Sequence, residues 1–146
     1  MSNSAKENLE NIALLQGLMP DDYRALEKRC SWHHCKANGQ ILARDSDSRD
    51  VFFVVHGTVR VVNFSVSGRE GSYATIREGD YFGELSAVDG EPRSASVVAH
   101  EDCVMASLSP EGFAELISNH PQVAMRTMRK LALIIRITND RIMDLT

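Results

Sequence analysis

The stretch VFFVVHGTVRVVNF, residues 51–64, is the clearest indication of the fold class of this chain. Two runs rich in β-branched and aromatic residues flank His56 and Gly57, and such runs favour strands on either side of a turn. The stretch predicts one hairpin closed around His56-Gly57, and SVSGREG, residues 65–71, predicts the turn into the following strand. An antiparallel β unit is therefore expected at the centre of the chain.

The same pattern of short apolar runs and glycine-containing turns extends over residues 31–108. Turn signals recur about every 8–12 residues, as they do in all-β sandwiches and barrels. The candidate strands are SWHHCKA (31–37), QILA (40–43), DVFFVV (50–55), TVRVVNF (58–64), SYATIRE (72–78), ASVVAH (95–100) and CVMASL (103–108). The pattern favours an antiparallel sandwich or barrel over alternating strands and helices.

Residues 1–30 precede this β region and predict helices. A short amphipathic helix over residues 8–18 is expected because apolar residues recur there at helical spacing, at Leu9, Ile12, Leu15 and Leu18. Pro20, followed by two aspartates, predicts a second helix that runs to about Cys30. Proline suits the first turn of a helix, and acidic residues suit the positive end of its dipole.

Residues 109–146 predict two further helices. Ser109 is a suitable N-cap before Pro110, and Pro121 begins a long helix without glycine or later proline. Along it, spacings of three and four alternate in a heptad seam with one polar member: Met128, Leu131, Ile135, Thr138, Ile142 and Leu145. The seam predicts a homodimer through this helix. The alternative is a helix folded back on its own barrel. Ile134 and Ile137 lie off the seam and would serve this second contact, so the two packings are compatible.

The composition is that of one soluble globular domain spanning residues 1–146. Hydrophobic residues make up 43% and charged residues 25% of the chain, which is typical of a protein with a buried core. The net charge of -4 argues against a nucleic-acid partner. Because no apolar run could cross a bilayer and no signal peptide is present, we expect a cytoplasmic protein with reduced cysteines and no membrane partner.

A second stretch, GELSAVDGEPRSAS at residues 83–96, contains the candidate site. Gly83 allows a ligand close to the backbone, and Arg93 offers a planar, permanently charged fork to two phosphate oxygens. Glu84 is an acceptor-only carboxylate that suits a hydroxyl donor. A 3',5'-cyclic nucleotide has both a phosphate and a free ribose 2'-OH. The plain alternative is a surface ion pair between Glu84 and Arg93, worth at most about 1 kcal/mol, and the two could also pair without ligand.

These residues resemble the phosphate-binding cassette of the cyclic-nucleotide-binding domain family, in which the words FGEL and PRSA recur. They stand here as Phe82-Gly83-Glu84-Leu85 and Pro92-Arg93-Ser94-Ala95. The resemblance extends from about Leu9 to Leu145 and is strongest to the N-terminal sensor half of catabolite-activator type regulators. It implies a mainly β fold, with a jelly-roll-like antiparallel barrel over residues 31–108, a cassette at 82–95, N-terminal helices and a long C-terminal dimerisation helix.

The resemblance also implies a role for each site residue. Glu84 would accept a hydrogen bond from the ribose 2'-OH, and Arg93 would bind the cyclic phosphate. Five residues would line the pocket, partly through backbone amides: Gly83, Leu85, Ser86, Ser94 and Ala95. Thr138 would reach the adenine amino group, and Asn139 would come from the partner subunit of the dimer. Thr138 favours cAMP over cGMP, although the Ser94 hydroxyl could serve guanine.

The function implied by the resemblance is reversible binding of cAMP or cGMP by an allosteric sensor that performs no chemistry and needs no cofactor. In the resembling regulators the long helix continues into a DNA-reading domain. Because the chain ends at Thr146, we expect it to bind no nucleic acid as given, and to be either part of such a regulator or the regulatory domain of a channel, cyclase or kinase.

A small metal-dependent β-barrel enzyme is the alternative from another class. It would need two or three histidines and a carboxylate around one metal, typically with an H-x-H pair, and the sequence contains no such pair. Cys30 and Cys35 would face opposite sides of a strand, as would His33 and His34. We therefore expect no metal site.

Overall fold

The computed structural model of the chain describes residues 7–64 and 70–144. In chain order its elements are a 3-10 helix at Ala13–Leu15, α1 at Pro20–Arg29, β1 at Ser31–Cys35, β2 at Gln40–Leu42, β3 at Val51–His56, β4 at Thr58–Phe64, β5 at Glu70–Arg77, β6 at Tyr81–Phe82, α2 at Glu84–Asp89, β7 at Ser96–Ala99, β8 at Cys103–Leu108, α3 at Pro110–Asn119 and α4 at Pro121–Asp144. Residues 65–69 of the predicted turn at 65–71 lie outside the described residues.

The strands of the described residues form two four-stranded antiparallel sheets. One sheet has the order β1-β8-β3-β6, and the other has the order β2-β7-β4-β5. Helices flank the sheets at both ends of the chain. The mainly β, jelly-roll-like fold with a long C-terminal helix is thus confirmed. Every predicted strand is present, whereas β6 is too short to leave a sequence signal.

Strands β3 and β4 do not form the hairpin that the sequence predicts around His56-Gly57. β3 pairs with β6 and β8, whereas β4 pairs with β5 and β7 in the other sheet. The chain changes sheets at Gly57, whose φ of 91° lies in the left-handed region. A Cβ there would lie 2.5 Å from the Asp102 carbonyl oxygen and 2.9 Å from Cys103 Sγ, so this corner needs glycine.

The reason for the failed hairpin is that β3 is buried on both faces. One face packs against the helices, with Val51, Phe53 and Val55. The other face packs against the second sheet, with Phe52 and Val54. An uninterrupted apolar run is typical of a strand covered on both sides, and it contains no local information about which strands lie beside it.

The segment before α1 is buried as predicted but is not the predicted helix over residues 8–18. Its apolar residues are buried, at Leu9, Ile12, Leu15 and Leu18. Only Ala13–Leu15 forms a 3-10 turn. The backbone N–H of Leu9 donates to Glu27 Oε2 at 2.9 Å, and that of Ala13 donates to the Gly79 carbonyl at 2.9 Å. Hydrogen bonds to residues distant in sequence therefore replace the backbone hydrogen bonds of a regular helix.

The C-terminal helices form as predicted, and their packing positions the long helix. Ser109 Oγ caps α3 by accepting the Gly112 N–H at 3.0 Å. The first turns of α4 pack on the domain through buried Val123 and Thr127, and Arg126 donates to the Gln16 carbonyl at 2.7 Å. Although α4 has 24 residues, none of the described helices is long and apolar enough to span a membrane.

Candidate functional site

The predicted cassette is the connection from β6 through α2 to β7. Gly83 precedes α2 with a φ of 89°, and Gly90 follows it with a φ of 74°. A Cβ on Gly83 would lie 2.7 Å from Arg93 Nη1 and 2.7 Å from the Asp50 carbonyl oxygen. Gly83 therefore satisfies two requirements, a left-handed backbone and close contact with the arginine.

Arg93 is the most unusual group in the cassette, because its side chain is buried with only 4% of its surface exposed. Its two terminal nitrogens donate to neutral oxygens: Nη1 to the Gly83 carbonyl at 2.9 Å, and Nη2 to Ser48 Oγ at 2.9 Å and the Asp50 carbonyl at 2.6 Å. Its Nε is buried without a hydrogen-bond partner among the described residues.

The charge of Arg93 lacks a direct counterion in the described part of the chain, where no carboxylate lies within 4.0 Å of its nitrogens. Burial lowers the pKa of Arg93, while the more distant carboxylate of Asp50 raises it. Since arginine remains protonated in proteins, the result is a buried positive charge whose hydrogen-bond acceptors are all neutral oxygens. Such an environment favours an anion.

Glu84 is the second buried charge of the cassette, with 5% of its surface exposed. It does not pair with Arg93, so the structure shows neither the surface ion pair nor the direct pairing that the sequence left open. Its Oε1 instead lies 3.4 Å from Lys130 Nζ on α4. Lys130 also donates to the Tyr81 carbonyl and lies 3.7 Å from the centre of the Tyr81 ring.

The loop between β2 and β3 packs against the cassette and contacts Arg93, a role that was not expected from the sequence. Its residues Ser48 and Asp50 supply two of the three acceptors for the Arg93 side chain, and the Asp45 N–H donates to the Arg93 carbonyl at 2.9 Å. Arg49 Nε donates to the Gly90 carbonyl at 2.9 Å, which joins the loop to the end of α2. The polar run ARDSDSRD, residues 43–50, is the only sequence signal for this role.

The remaining predicted cassette residues lie in the same connection but differ in exposure. Ser86 is buried, Ala95 and Gly83 are half-buried, and Ser94 is exposed. Leu85 is also exposed, with 47% of its surface accessible. The seven cassette residues of the predicted site thus lie in one connection, in which the two charged residues are buried and Leu85 and Ser94 are exposed.

Thr138 and Asn139, the other predicted ligand residues, are not brought to the cassette in the single chain. Both lie exposed on α4, and Thr138 Oγ1 donates to the Ile134 carbonyl at 2.8 Å. They follow Lys130 by two turns of helix, which is about 12 Å along the axis. Their predicted contact with a base therefore requires a ligand that reaches beyond the cassette or a partner helix.

The predicted dimer seam on α4 is largely exposed. Met128, Ile135 and Ile142 are each more than half exposed, and Leu131 is half-buried. Thr138 lies on the same stripe, whereas Leu145 lies outside the described residues. Ile134 and Ile137 are 41% and 43% exposed, so the second half of α4 does not fold back on the barrel as the alternative required.

Comparison with known proteins agrees with this geometry. The family model of the cyclic nucleotide-binding domain matches residues 33–120. The cAMP-activated global transcriptional regulator CRP of Salmonella typhimurium is 26% identical over 117 residues, which are 80% of this chain and 56% of that protein. A cAMP-dependent protein kinase regulatory subunit of Aspergillus niger is 32% identical over 109 residues, which are 75% of this chain and 26% of that protein.

A solved structure supports the same relationship. The Catabolite Activator Protein of Thermus thermophilus aligns with a TM-score of 0.78 and 28% identity, over 88% of this chain and 61% of that chain. The chain therefore spans only about half to three-fifths of the length of these bacterial regulators. Because the family model covers more than half of the residues and includes the whole cassette, the chain belongs to the cyclic nucleotide-binding domain family.

Proposed function

We propose that this chain binds a 3',5'-cyclic nucleotide through its cassette and that Arg93 holds the cyclic phosphate. The observation that carries the proposal is the buried guanidinium of Arg93, which has no carboxylate partner among the described residues and an unpartnered Nε. A phosphate diester would supply the missing negative charge in a water-poor environment. Charge-assisted hydrogen bonds of this kind are about twice as strong as neutral ones.

Glu84 is proposed to select the ribose. Its carboxylate can only accept hydrogen bonds, and a 3',5'-cyclic nucleotide offers its free 2'-OH as a donor. Lys130 Nζ, 3.4 Å from Glu84 Oε1, offsets the charge that Glu84 would otherwise place near the phosphate. Gly83, Leu85, Ser86, Ser94 and Ala95 are proposed to line the same pocket, partly through backbone amides.

The base is proposed to be adenine, recognised by Thr138 of one chain and Asn139 of a partner in a homodimer. Support comes from the exposure of both residues on α4 and from the apolar seam beside them. The Salmonella typhimurium regulator and the Aspergillus niger kinase subunit are both named for their dependence on cAMP. The proposal therefore favours cAMP over cGMP and makes dimerisation part of base recognition.

The sensor is proposed to belong to a transcription regulator, with reversible binding and no chemistry on the nucleotide. The similarity to two bacterial regulators, each over 80% or more of this chain, favours this context. A kinase regulatory subunit is the second candidate, because the Aspergillus niger protein has the higher identity, 32%. The ligand would bind one arrangement of α4 more tightly than the other and so shift the equilibrium between them. Such coupling free energies are typically about 1–3 kcal/mol.

Isothermal titration of the chain with cAMP and with cGMP tests the proposal, together with native mass spectrometry of each complex. We expect saturable binding of one nucleotide per chain, tighter for cAMP, and recovery of the nucleotide unchanged. Thr138→Ala should weaken cAMP binding about 3- to 10-fold, the value of one hydrogen bond, and leave cGMP binding unchanged. Absence of binding at millimolar nucleotide would contradict the proposal, and hydrolysis of the nucleotide would favour an enzyme instead.

A further inference from the structure

Two cysteines that the nucleotide site does not use face each other across neighbouring strands. Cys35 ends β1 and Cys103 begins β8, and the two are direct partners in the antiparallel register. Directly opposed residues have side chains on the same face of the sheet, with Cα atoms about 4.5–5.5 Å apart. Disulfides span Cα distances of about 4.4–6.8 Å, so the Cα separation expected for this pair is one that a disulfide can bridge.

Cys35 and Cys103 pack against the same hydrophobic cluster, whereas the third cysteine packs against a different one. Cys103 is 3% exposed in the cluster between the sheets, and half-buried Cys35 packs against that same cluster. Cys30 packs against the other cluster, beneath the helices. Cys103 Sγ lies within hydrogen-bonding distance of two carbonyl oxygens, 3.0 Å from that of Glu101 and 3.2 Å from that of Thr58.

A path from solvent to the pair exists at the edge of the sheet. A cavity of about 310 Å³ is lined by Cys35 and Cys103 together with Lys36 and His56. β1 lies at the end of its sheet and pairs with β8 alone among the described strands. Small oxidants can therefore enter the cavity, and edge strands open locally more easily than central ones.

We propose that Cys35 and Cys103 form an intramolecular disulfide when the chain meets hydrogen peroxide, which makes the β1–β8 edge an oxidation site. Peroxide transfers one oxygen to Cys35, giving a sulfenic acid and one water. The Cys103 sulfur then attacks the Cys35 sulfur, the S–S bond forms, and a second water leaves with the Cys103 proton. Two thiols lose two electrons in total, and one peroxide becomes two waters.

The reaction is expected to be slow, because burial raises the pKa of both thiols and leaves little thiolate at neutral pH. The product links residues 35 and 103, so it closes a loop that contains β2 to β7 and the whole cassette. A crosslink around so long a loop restricts the unfolded chain strongly. The oxidised protein should therefore melt about 5–10 °C higher than the reduced protein.

The test is prolonged exposure of the full chain and of Cys30→Ser to hydrogen peroxide, followed by intact mass measurement and a non-reducing peptide map. Cys30→Ser is needed because cleavage after lysine and arginine leaves Cys30 and Cys35 in one peptide, residues 30–36. We expect both proteins to lose two hydrogens, to contain a peptide linked to the Cys103 peptide, and to show the rise in Tm.

Cys35→Ser is the matched control, since this residue is half-buried at an edge strand and its replacement leaves Cys103 in place. It should show neither the internal link nor the rise in Tm. The proposal does not depend on nucleotide binding. Thiols that stay unmodified in Cys30→Ser, a sulfinic acid at Cys35, or disulfides only between chains would each overturn it.

Discussion

Lys130 on the long helix α4 lies 3.4 Å from the carboxylate of Glu84 in the cassette. The side chain of Lys130 is 26% exposed and that of Glu84 is 7% exposed, so the pair is mostly shielded from water. The carboxylate proposed to bind ribose is therefore also a contact of the helix proposed to form the dimer. A ligand hydroxyl that joins Glu84 would change this contact directly, which gives the site a short physical route to α4.

The energetic link between these two residues can be measured with a double-mutant cycle. Lys130→Met should lower the free energy of unfolding by about 1–2 kcal/mol, because it leaves the buried Glu84 carboxylate without its cation. Once Glu84→Gln is present, the same change should cost about 1 kcal/mol less. Urea denaturation of the four proteins provides the values, with Arg129→Met on the exposed face of α4 as the control. Additive effects would show that the contact does not couple the helix to the cassette.

Glu84→Gln should abolish the preference for ribose over deoxyribose. In the unaltered chain, 2'-deoxy-cAMP should bind less tightly than cAMP by about 1.5–3 kcal/mol, or roughly 10- to 150-fold, because a hydrogen bond to a carboxylate is lost. In the variant the two ligands should bind within a few-fold of each other. Competition titration against a fluorescent cyclic nucleotide measures both ratios. A variant that kept the original preference would exclude Glu84 as the ribose acceptor.

Gly83 and Gly90 provide a comparison at the two ends of α2. Both have a left-handed φ, but a Cβ at Gly83 would overlap Arg93 Nη1 and the Asp50 carbonyl, whereas nothing lies within 4 Å of a Cβ at Gly90. Gly90→Ala should cost about 1–2 kcal/mol of stability and leave nucleotide affinity unchanged. Gly83→Ala should cost about 3 kcal/mol or more and weaken binding, because the arginine must move.

Thermal unfolding and nucleotide titration of these two variants show whether the close packing around Gly83 matters for stability and for binding. Equal losses of stability and equal affinities would mean that the close contact of Arg93 with the backbone at Gly83 contributes nothing measurable to either property. The comparison is informative because the two alanines add the same atoms in the same backbone region. Only the neighbours of the added methyl group differ.

Ile135 and Leu133 test the dimer seam on α4. The two are exposed to a similar degree, 60% and 58%, but only Ile135 belongs to the predicted heptad positions. Ile135→Lys should convert the proposed dimer to a monomer because it would place a charge in an apolar interface, whereas Leu133→Lys should leave that dimer intact. Sedimentation equilibrium with and without cAMP gives the masses. A monomeric unaltered chain under both conditions, or equal disruption by both variants, would exclude the seam.

The position of the cassette could be predicted from sequence because its parts are local. Gly83, Glu84 and Arg93 lie within eleven consecutive residues, so a short motif is enough to identify the segment. Lys130 is different, since it reaches Glu84 from 46 positions away and does so only because of how α4 packs. No local pattern distinguishes this lysine from its exposed neighbour Arg129.

The same reasoning explains why two parts of the fold were predicted wrongly. The run at residues 51–64 is compatible with a hairpin and with a crossing between two sheets, and only the partners β6 and β8 decide between them. Before α1, the spacing of Leu9, Ile12, Leu15 and Leu18 predicted their burial correctly. It could not show that Glu27 and Gly79 bind the backbone donors there and prevent a regular helix.

The phosphate role of Arg93 is tested most directly by isothermal titration of Arg93→Leu with cAMP, beside Arg129→Leu, which removes the same charge from the surface of α4. Thermal unfolding confirms that each variant is folded. We expect Arg129→Leu to bind as the unaltered chain does and Arg93→Leu to lose roughly 100- to 1,000-fold in affinity. A folded Arg93→Leu protein that binds cAMP within a few-fold of the unaltered chain would contradict the account.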